Sequence, residues 1–178
     1  FPKPLATKFR KDDERVLATR TTMPQMVELF LNQHGLPDWF MTNKMPVRDP
    51  KGHTIGIMGT VERYNQEKAL KSADPEIARA VEKLLSHPEN FSSVTELAKE
   101  AGMSRRHFNR RFKDETSLTP IQFLGRCRIQ LACQLLRSER GKTISDIALE
   151  IGFCDQSAFT TQFRERMGTT PFKYRQAY

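Results

Sequence analysis

Between residues 26 and 63 apolar side chains recur at every second position. In MVELFL, Val27, Leu29 and Leu31 alternate with Met26, Glu28 and Phe30. In DWFMTNKMPV, Trp39, Met41, Met45 and Val47 share one parity, with Thr42 and Lys44 on the other. In HTIGIMGTVER, Ile55, Ile57 and Val61 share a parity. Period two predicts strands, and DPKG at 49–52 predicts a hairpin turn between the last two. Three strands with one apolar face predict a sheet that needs a cover. Upstream, RKDDERVLATR at 10–20 predicts a short helix, and the stretch around 64–74 reads as a linker.

From residue 74 the period changes to that of a helix. Asp74-Pro75-Glu76 is a helix start, with a capping Asp, a proline in the first turn and an acid beside it. Ile77, Val81, Leu84 and Leu85 follow at helical spacing, and His87-Pro88 predicts the stop.

The next stretch repeats itself. VTELAKEAG at 94–102 and ISDIALEIG at 144–152 share Ala98/Ala148, Glu100/Glu150 and Gly102/Gly152, with conservative matches between. Ser93 with Glu96 has capping-box spacing, and Thr143 with Asp146 approximates it. Each short helix ends at a Gly, which accepts the left-handed conformation of a helix stop. Further on, Phe108 and Phe112 match Phe159 and Phe163, and Thr119-Pro120 matches Thr170-Pro171. The repeated unit is a short helix, a tight turn, a second helix and a Thr-Pro restart, which is a helix-turn-helix arrangement. Between the copies, PIQFLGRCRIQLACQLLRS at 120–138 carries an apolar stripe of Ile121, Leu124, Leu131, Leu135 and Leu136, with Gly125 a mild blemish. As one helix its 19 residues reach about 28 Å. That length suits two recognition helices about one DNA turn, roughly 34 Å, apart.

At 100° per residue, Phe108 and Phe112 point one way and Arg106, Asn109, Arg110 and Lys113 form a narrow stripe nearly opposite. Arg105, His107 and Arg111 lie on the flanks. One face anchors the helix while the other presents long donors. Arg suits guanine O6 and N7, Asn suits adenine, and Lys and flanking Arg suit phosphates. In the second copy the matching stripe is Ser157, Thr160, Thr161 and Arg164, with Gln156 on its flank. It has one cation where the first has three.

Charge agrees with this picture. The 178 residues carry 29 basic and 21 acidic side chains, a net charge of +8. Residues 1–72 hold 12 basic and 8 acidic, and residues 73–178 hold 17 and 13, so each part is net +4 and the excess lies in patches. A basic chain fits an anionic partner such as nucleic acid. Within GMSRRHFNRRFK, 102–113, five of twelve residues are basic and none is acidic. Such a run alone describes an ordinary wet helix face; the phasing against Phe108 and Phe112 is what points to a gripping surface. Cys127, Cys133 and Cys154 form neither a disulfide framework nor a zinc spacing, and read as reduced thiols. His34, His53, His87 and His107 are scattered, so no metal or other cofactor is expected. No phosphate loop, nucleophile elbow or paired His/Cys constellation points to an enzyme. No apolar run is long enough for a membrane helix, and no signal-peptide pattern is present. The opening FPKPLATKF, without Met, predicts further chain upstream.

The helical part resembles the AraC family of bacterial transcription regulators. The resemblance covers about 75–178, and IALEIGFCDQSAFTTQFRERMGTTPFKYR at 147–175 is close to the family's C-terminal signature. It implies two helix-turn-helix subdomains joined by a long helix, binding double-stranded promoter DNA through successive major-groove segments. By position it implies Arg105, Arg106, Asn109, Arg110, Lys113, Gln156, Ser157, Thr160, Thr161 and Arg164 as DNA-facing residues. At Thr161 the family often carries a basic residue. It further implies a cytoplasmic regulator that meets RNA polymerase and has no membrane part. The stretch DWFMTNKMPVRDPKGHTIGIMGTVERYN resembles the last two strands of a PAS domain, with MVELFL as the strand before. This implies an incomplete sensory or dimerising module, with an unknown small-molecule effector and a homodimer as its partners.

The expected fold class is therefore α+β: a partial PAS-like antiparallel sheet at 1–66, then an all-α double helix-turn-helix domain at 74–178. The competing reading is a PAS-like module for a ligand or protein, with only weak DNA binding.

Overall fold

The computed structural model describes residues 3–31, 37–64, 74–91 and 93–178. The expected linker falls almost wholly on 65–73, outside the described residues. The chain divides into two compact units, Phe1–Tyr64 with Arg164–Thr169, and Asn65–Phe163 with Thr170–Tyr178.

The first unit is α1 (Lys3–Thr19) and an antiparallel sheet of β1 (Met23–Leu31), β2 (Pro37–Arg48) and β3 (Thr54–Arg63), in the order β1-β2-β3. Helix α1 begins well before the stretch that the sequence suggested. Phe9, Asp13 and Val16 recur one turn apart and make its inner face. Phe9 packs against Phe30 with ring centroids 5.5 Å apart, Asp13 pairs with the Lys44 ammonium at 2.6 Å, and Val16 is buried. Lys44 also donates to the Phe9 carbonyl at 3.0 Å. The DPKG turn forms as expected. The Asp49 carboxylate accepts from the backbone N–H of Lys51 and His53, and Gly52 takes φ +86°.

The expectation of a single apolar face is overturned. At the turn Arg48 pairs with Thr54, but the next pair is Val47 with Gly56, so Ile55 is an extra residue on β3. One inserted residue moves every later side chain of that strand to the opposite face. Val61 now pairs with Thr42 and Ile57 with Pro46, instead of joining Met41 and Met45. The α1 face of the sheet is mixed, with polar residues of β1 and β2 beside Val61 of β3. Glu28 is buried there and accepts from the Thr42 hydroxyl at 3.0 Å. A cavity of about 340 Å³ on this face is lined by Phe9, Glu28, Phe30, Thr42, Lys44 and Val61, among others. Trp39 and Met41 lie on the other face, where the Trp39 ring sits 5.9 Å from that of Tyr64.

From residue 74 the chain is helical: α2 (Pro75–Ser86), a 3-10 turn at Pro88–Asn90, α3 (Val94–Glu100), α4 (Arg105–Thr116), α5 (Pro120–Ser138), α6 (Ile144–Glu150), α7 (Gln156–Met167) and α8 (Pro171–Ala177). Asp74 caps α2 by accepting from Glu76 N–H, and the helix ends before His87-Pro88. Helix α5 has the span read from sequence and runs unbroken through Gly125. Its buried face differs from the expected stripe. Phe123, Leu124, Cys127, Ala132, Cys133 and Leu136 are buried, whereas Ile121 is 67% exposed. Among the described residues no helix is long and apolar enough to cross a membrane.

Candidate nucleic-acid interface

The sequence repeat becomes a repeat of geometry. After α3, Met103 N–H donates to the Ala98 carbonyl at 2.9 Å and Gly102 N–H to that of Lys99 at 3.0 Å. After α6, Phe153 N–H reaches Ala148 at 2.9 Å and Gly152 N–H reaches Leu149 at 3.0 Å. Both are Schellman stops, and they need a left-handed residue; Gly102 has φ +63° and Gly152 φ +87°. The same stop thus precedes α4 and α7.

Each second helix is then held by an aromatic triplet. Phe108 and Phe112 stand 5.6 Å apart, and Phe112 meets Phe123 of α5 edge-on at 5.5 Å. Phe159 and Phe163 stand 5.5 Å apart, and Phe163 meets Tyr174 of α8 edge-on at 5.5 Å. All six rings are fully buried. Aromatic pairs at these spacings add about 0.5–1.5 kcal/mol beyond the area they bury. Phe123 and Tyr174 occupy matching places after the two Thr-Pro restarts, a match that the sequence reading did not reach.

The caps carry a correction. The expected box at Ser93 makes no side-chain cap bond, although its partner Glu96 is the usual capping-box residue. The approximate pair, Thr143 with Asp146, forms a full capping box, as does Thr119 with Gln122. Hydrogen bonds from the Thr143 hydroxyl and backbone hold the Asp146 carboxyl below its usual pKa.

With the phenylalanines inward, the stripes lie outward. On α4, Arg105, Arg106, Arg110 and Lys113 are exposed and Asn109 is half-buried. On α7, Gln156, Ser157, Thr161 and Arg164 are exposed and Thr160 is half-buried. One flanking cation differs from its expected role. Arg111 donates to Asp74, the cap of α2, and so ties α4 to α2.

The two helix starts are chemically unlike. Ser104 caps α4, its hydroxyl accepting from His107 N–H at 3.3 Å. At the matching position before α7 stands Asp155, whose carboxylate accepts from Ala158 N–H at 2.7 Å. That bond, followed by one from the Cys154 thiol, lowers the Asp155 pKa. The second stripe thus has fewer cations and an anion at its head. The sequence carried this signal in Asp155, at the 51-residue offset from Ser104.

The cysteines separate by burial. Burial pushes the thiols of Cys127 and Cys133 up to about 12, while Cys154 is exposed. Among the described residues no group of three His, Cys, Asp or Glu side chains is placed to hold a metal ion.

Two units of this kind on one connecting helix define a tandem helix-turn-helix domain. Residues 97–177 match the family model for a helix-turn-helix domain, and residues 1–69 match that for a PAS fold. The RCS-specific HTH-type transcriptional activator RclR of Escherichia coli K12 is 30% identical over 125 residues, covering 69% of this chain and 44% of that protein. Among solved structures, the DNA-binding domain of AdpA, the global transcriptional factor, in complex with a target DNA, is 36% identical. It matches 58% of this chain and 92% of its own, with a TM-score of 0.53. A transcriptional regulator of Chromobacterium violaceum, described by its AraC-type DNA-binding domain, is 29% identical, matching 57% of this chain and 90% of its own at a TM-score of 0.52. The chain belongs to the AraC family of transcription regulators, a family of regulators rather than enzymes. It spans less than half the length of the curated relatives it matches.

Proposed function

We propose that residues 74–178 grip double-stranded promoter DNA by inserting α4 and α7 into successive major-groove segments, and that residues 1–66 are a PAS-like part controlling this. The observation that carries the reading is the twofold opposition of a buried Phe pair to an exposed polar stripe, on helices joined by the 19 residues of α5. The DNA complex of the AdpA domain supports it.

In this reading Arg106, Asn109 and Arg110 face base edges, and Arg105 and Lys113 hold phosphates. Gln156, Ser157, Thr160, Thr161 and Arg164 make the shorter contacts of the second helix. The cavity on the α1 face of the sheet supports a small-molecule effector. RNA polymerase, a second copy through the PAS-like part, and a cytoplasmic location complete the proposal.

A salt titration of duplex binding tests it. Neutralising phosphates releases counterions, so affinity falls linearly on a log–log plot with a slope near −0.9 per phosphate contacted. Six contacts give a loss on the order of a thousandfold between 50 and 200 mM salt. Affinity that ignores salt, or no duplex binding at all, counts for the competing interaction-module reading.

A further inference from the structure

Arg128, in the middle of α5, has no part in either stripe. Its guanidinium nonetheless bridges the segment that leads into the first helix-turn-helix unit and the turn of the second. Nε donates to the Pro88 carbonyl at 3.2 Å and Nη2 to the Phe91 carbonyl at 2.5 Å. These carbonyls lie on the segment joining α2 to α3, at the entrance to the first unit. The same cation stands over the Phe153 ring, 5.8 Å from its centroid, and Phe153 ends the turn of the second unit.

The neighbouring glycine is shaped around it. A Cβ placed on Gly152 would lie 2.5 Å from Nη2 and 2.8 Å from Cζ of Arg128. At Gly102, the matching residue of the first copy, a Cβ meets nothing within 4 Å. Gly102 therefore answers to backbone conformation alone, while Gly152 answers to conformation and to the space Arg128 fills. The repeat is broken at this point by a contact that Gly152 has and Gly102 lacks.

We propose that Arg128 is a positioning residue that fixes the two helix-turn-helix units relative to each other, and with them the half-site spacing that one chain can engage. The inference rests on the two-site DNA reading above. The planar fork is suited to this because it bonds two carbonyls in one plane and leaves a face for stacking; an ammonium offers neither. Burial lowers the guanidinium pKa, with the nearby Glu89 opposing, but an arginine stays charged at neutral pH. A pair of linked binding units gains affinity only while its geometry matches the span between sites. Loosening the clamp should cost that gain and leave each unit's own contacts intact.

The test uses the whole chain and a duplex that the wild type selects from a random pool. Wild type and Arg128→Lys are titrated on the intact duplex, on duplexes with either half scrambled, and on duplexes with one base pair added or removed between halves. Arg128→Lys should lose on the order of tenfold or more on the intact duplex, bind both half-scrambled duplexes like wild type, and discriminate less between spacings. Unchanged affinity and spacing preference overturns the proposal. So does an equal loss on all duplexes, since that is the mark of general destabilisation. If Arg128→Lys does not fold, the same comparison is made on Phe153→Leu, which keeps the bulk and removes the ring face, and the same two outcomes overturn it. Selection of no duplex by the wild type refutes the DNA reading itself, a distinguishable result.

Discussion

Arg111 of α4 donates to Asp74, the residue whose carboxylate also caps α2. One carboxylate so starts a helix and fastens it to the helix that bears the larger basic stripe. Asp74→Ala removes the cap and leaves a half-exposed guanidinium without this partner. A lost cap costs about 0.5–2 kcal/mol, and urea unfolding should report a loss of that size. A variant as stable as wild type would show that Arg111 and the cap contribute nothing measurable.

The aromatic triplets should be worth more than the caps. Phe112 and Phe163 are fully buried and each touches rings on two sides. Truncating either to Ala leaves a cavity, for which about 3–5 kcal/mol is typical. Thermal unfolding of the two variants should give similar drops, because the two sites are copies. A large drop in one and none in the other would break the equivalence drawn from the geometry.

Specific contact and mere charge separate on α4. Arg106→Ala and Arg110→Ala should each cost roughly 1–3 kcal/mol on the selected duplex if the guanidinium forks onto a guanine. The loss on random duplex should be smaller. Equal losses on both assign these residues to phosphates.

The second helix should be improvable. Asp155→Ser keeps an oxygen to cap α7 and removes the anion, and Thr161→Arg adds a cation on the same exposed side. Both should tighten duplex binding, more at low salt than at high salt because exposed charges are screened beyond about 10 Å at 0.1 M. Fluorescence anisotropy at two salt concentrations reads this. Affinity that does not change in either variant removes α7 from the interface.

Thiol reactivity tests the packing of α5. Only thiolates attack, and Cys127 and Cys133 hold their protons up to about 12. At pH 8 an alkylating reagent should modify Cys154 alone in the native chain and all three thiols in denaturant, as counted by mass spectrometry. Rapid native labelling of Cys127 or Cys133 would place α5 wrongly in the core.

Much of the second unit was legible in the chain, and the reason is local. Stops at Gly102 and Gly152, starts at Asp74, Thr119, Thr143 and Thr170, and the phase of Phe108 and Phe112 against Arg106 and Arg110 depend on residues within a few turns. Short-range hydrogen bonds and the 3.6-residue period enforce them, and two copies of one pattern made the reading strong. The sequence also determined which helix would be the more basic.

What required tertiary structure was long-range. The faces of β2 and β3 depended on one extra residue, Ile55, since strand parity carries no tolerance for a slip. The choice between Ser93 and Thr143 as a working cap box turned on side-chain geometry that spacing does not encode. The removal of Arg111 from the basic surface needed Asp74, 37 positions away. The place of Arg128 needed Pro88, Phe91 and Phe153 brought together from separate stretches. A cation's partners are set by the fold that delivers them, so the stripes could be drawn from periodicity, whereas the clamp between the units emerged only once the chain was folded.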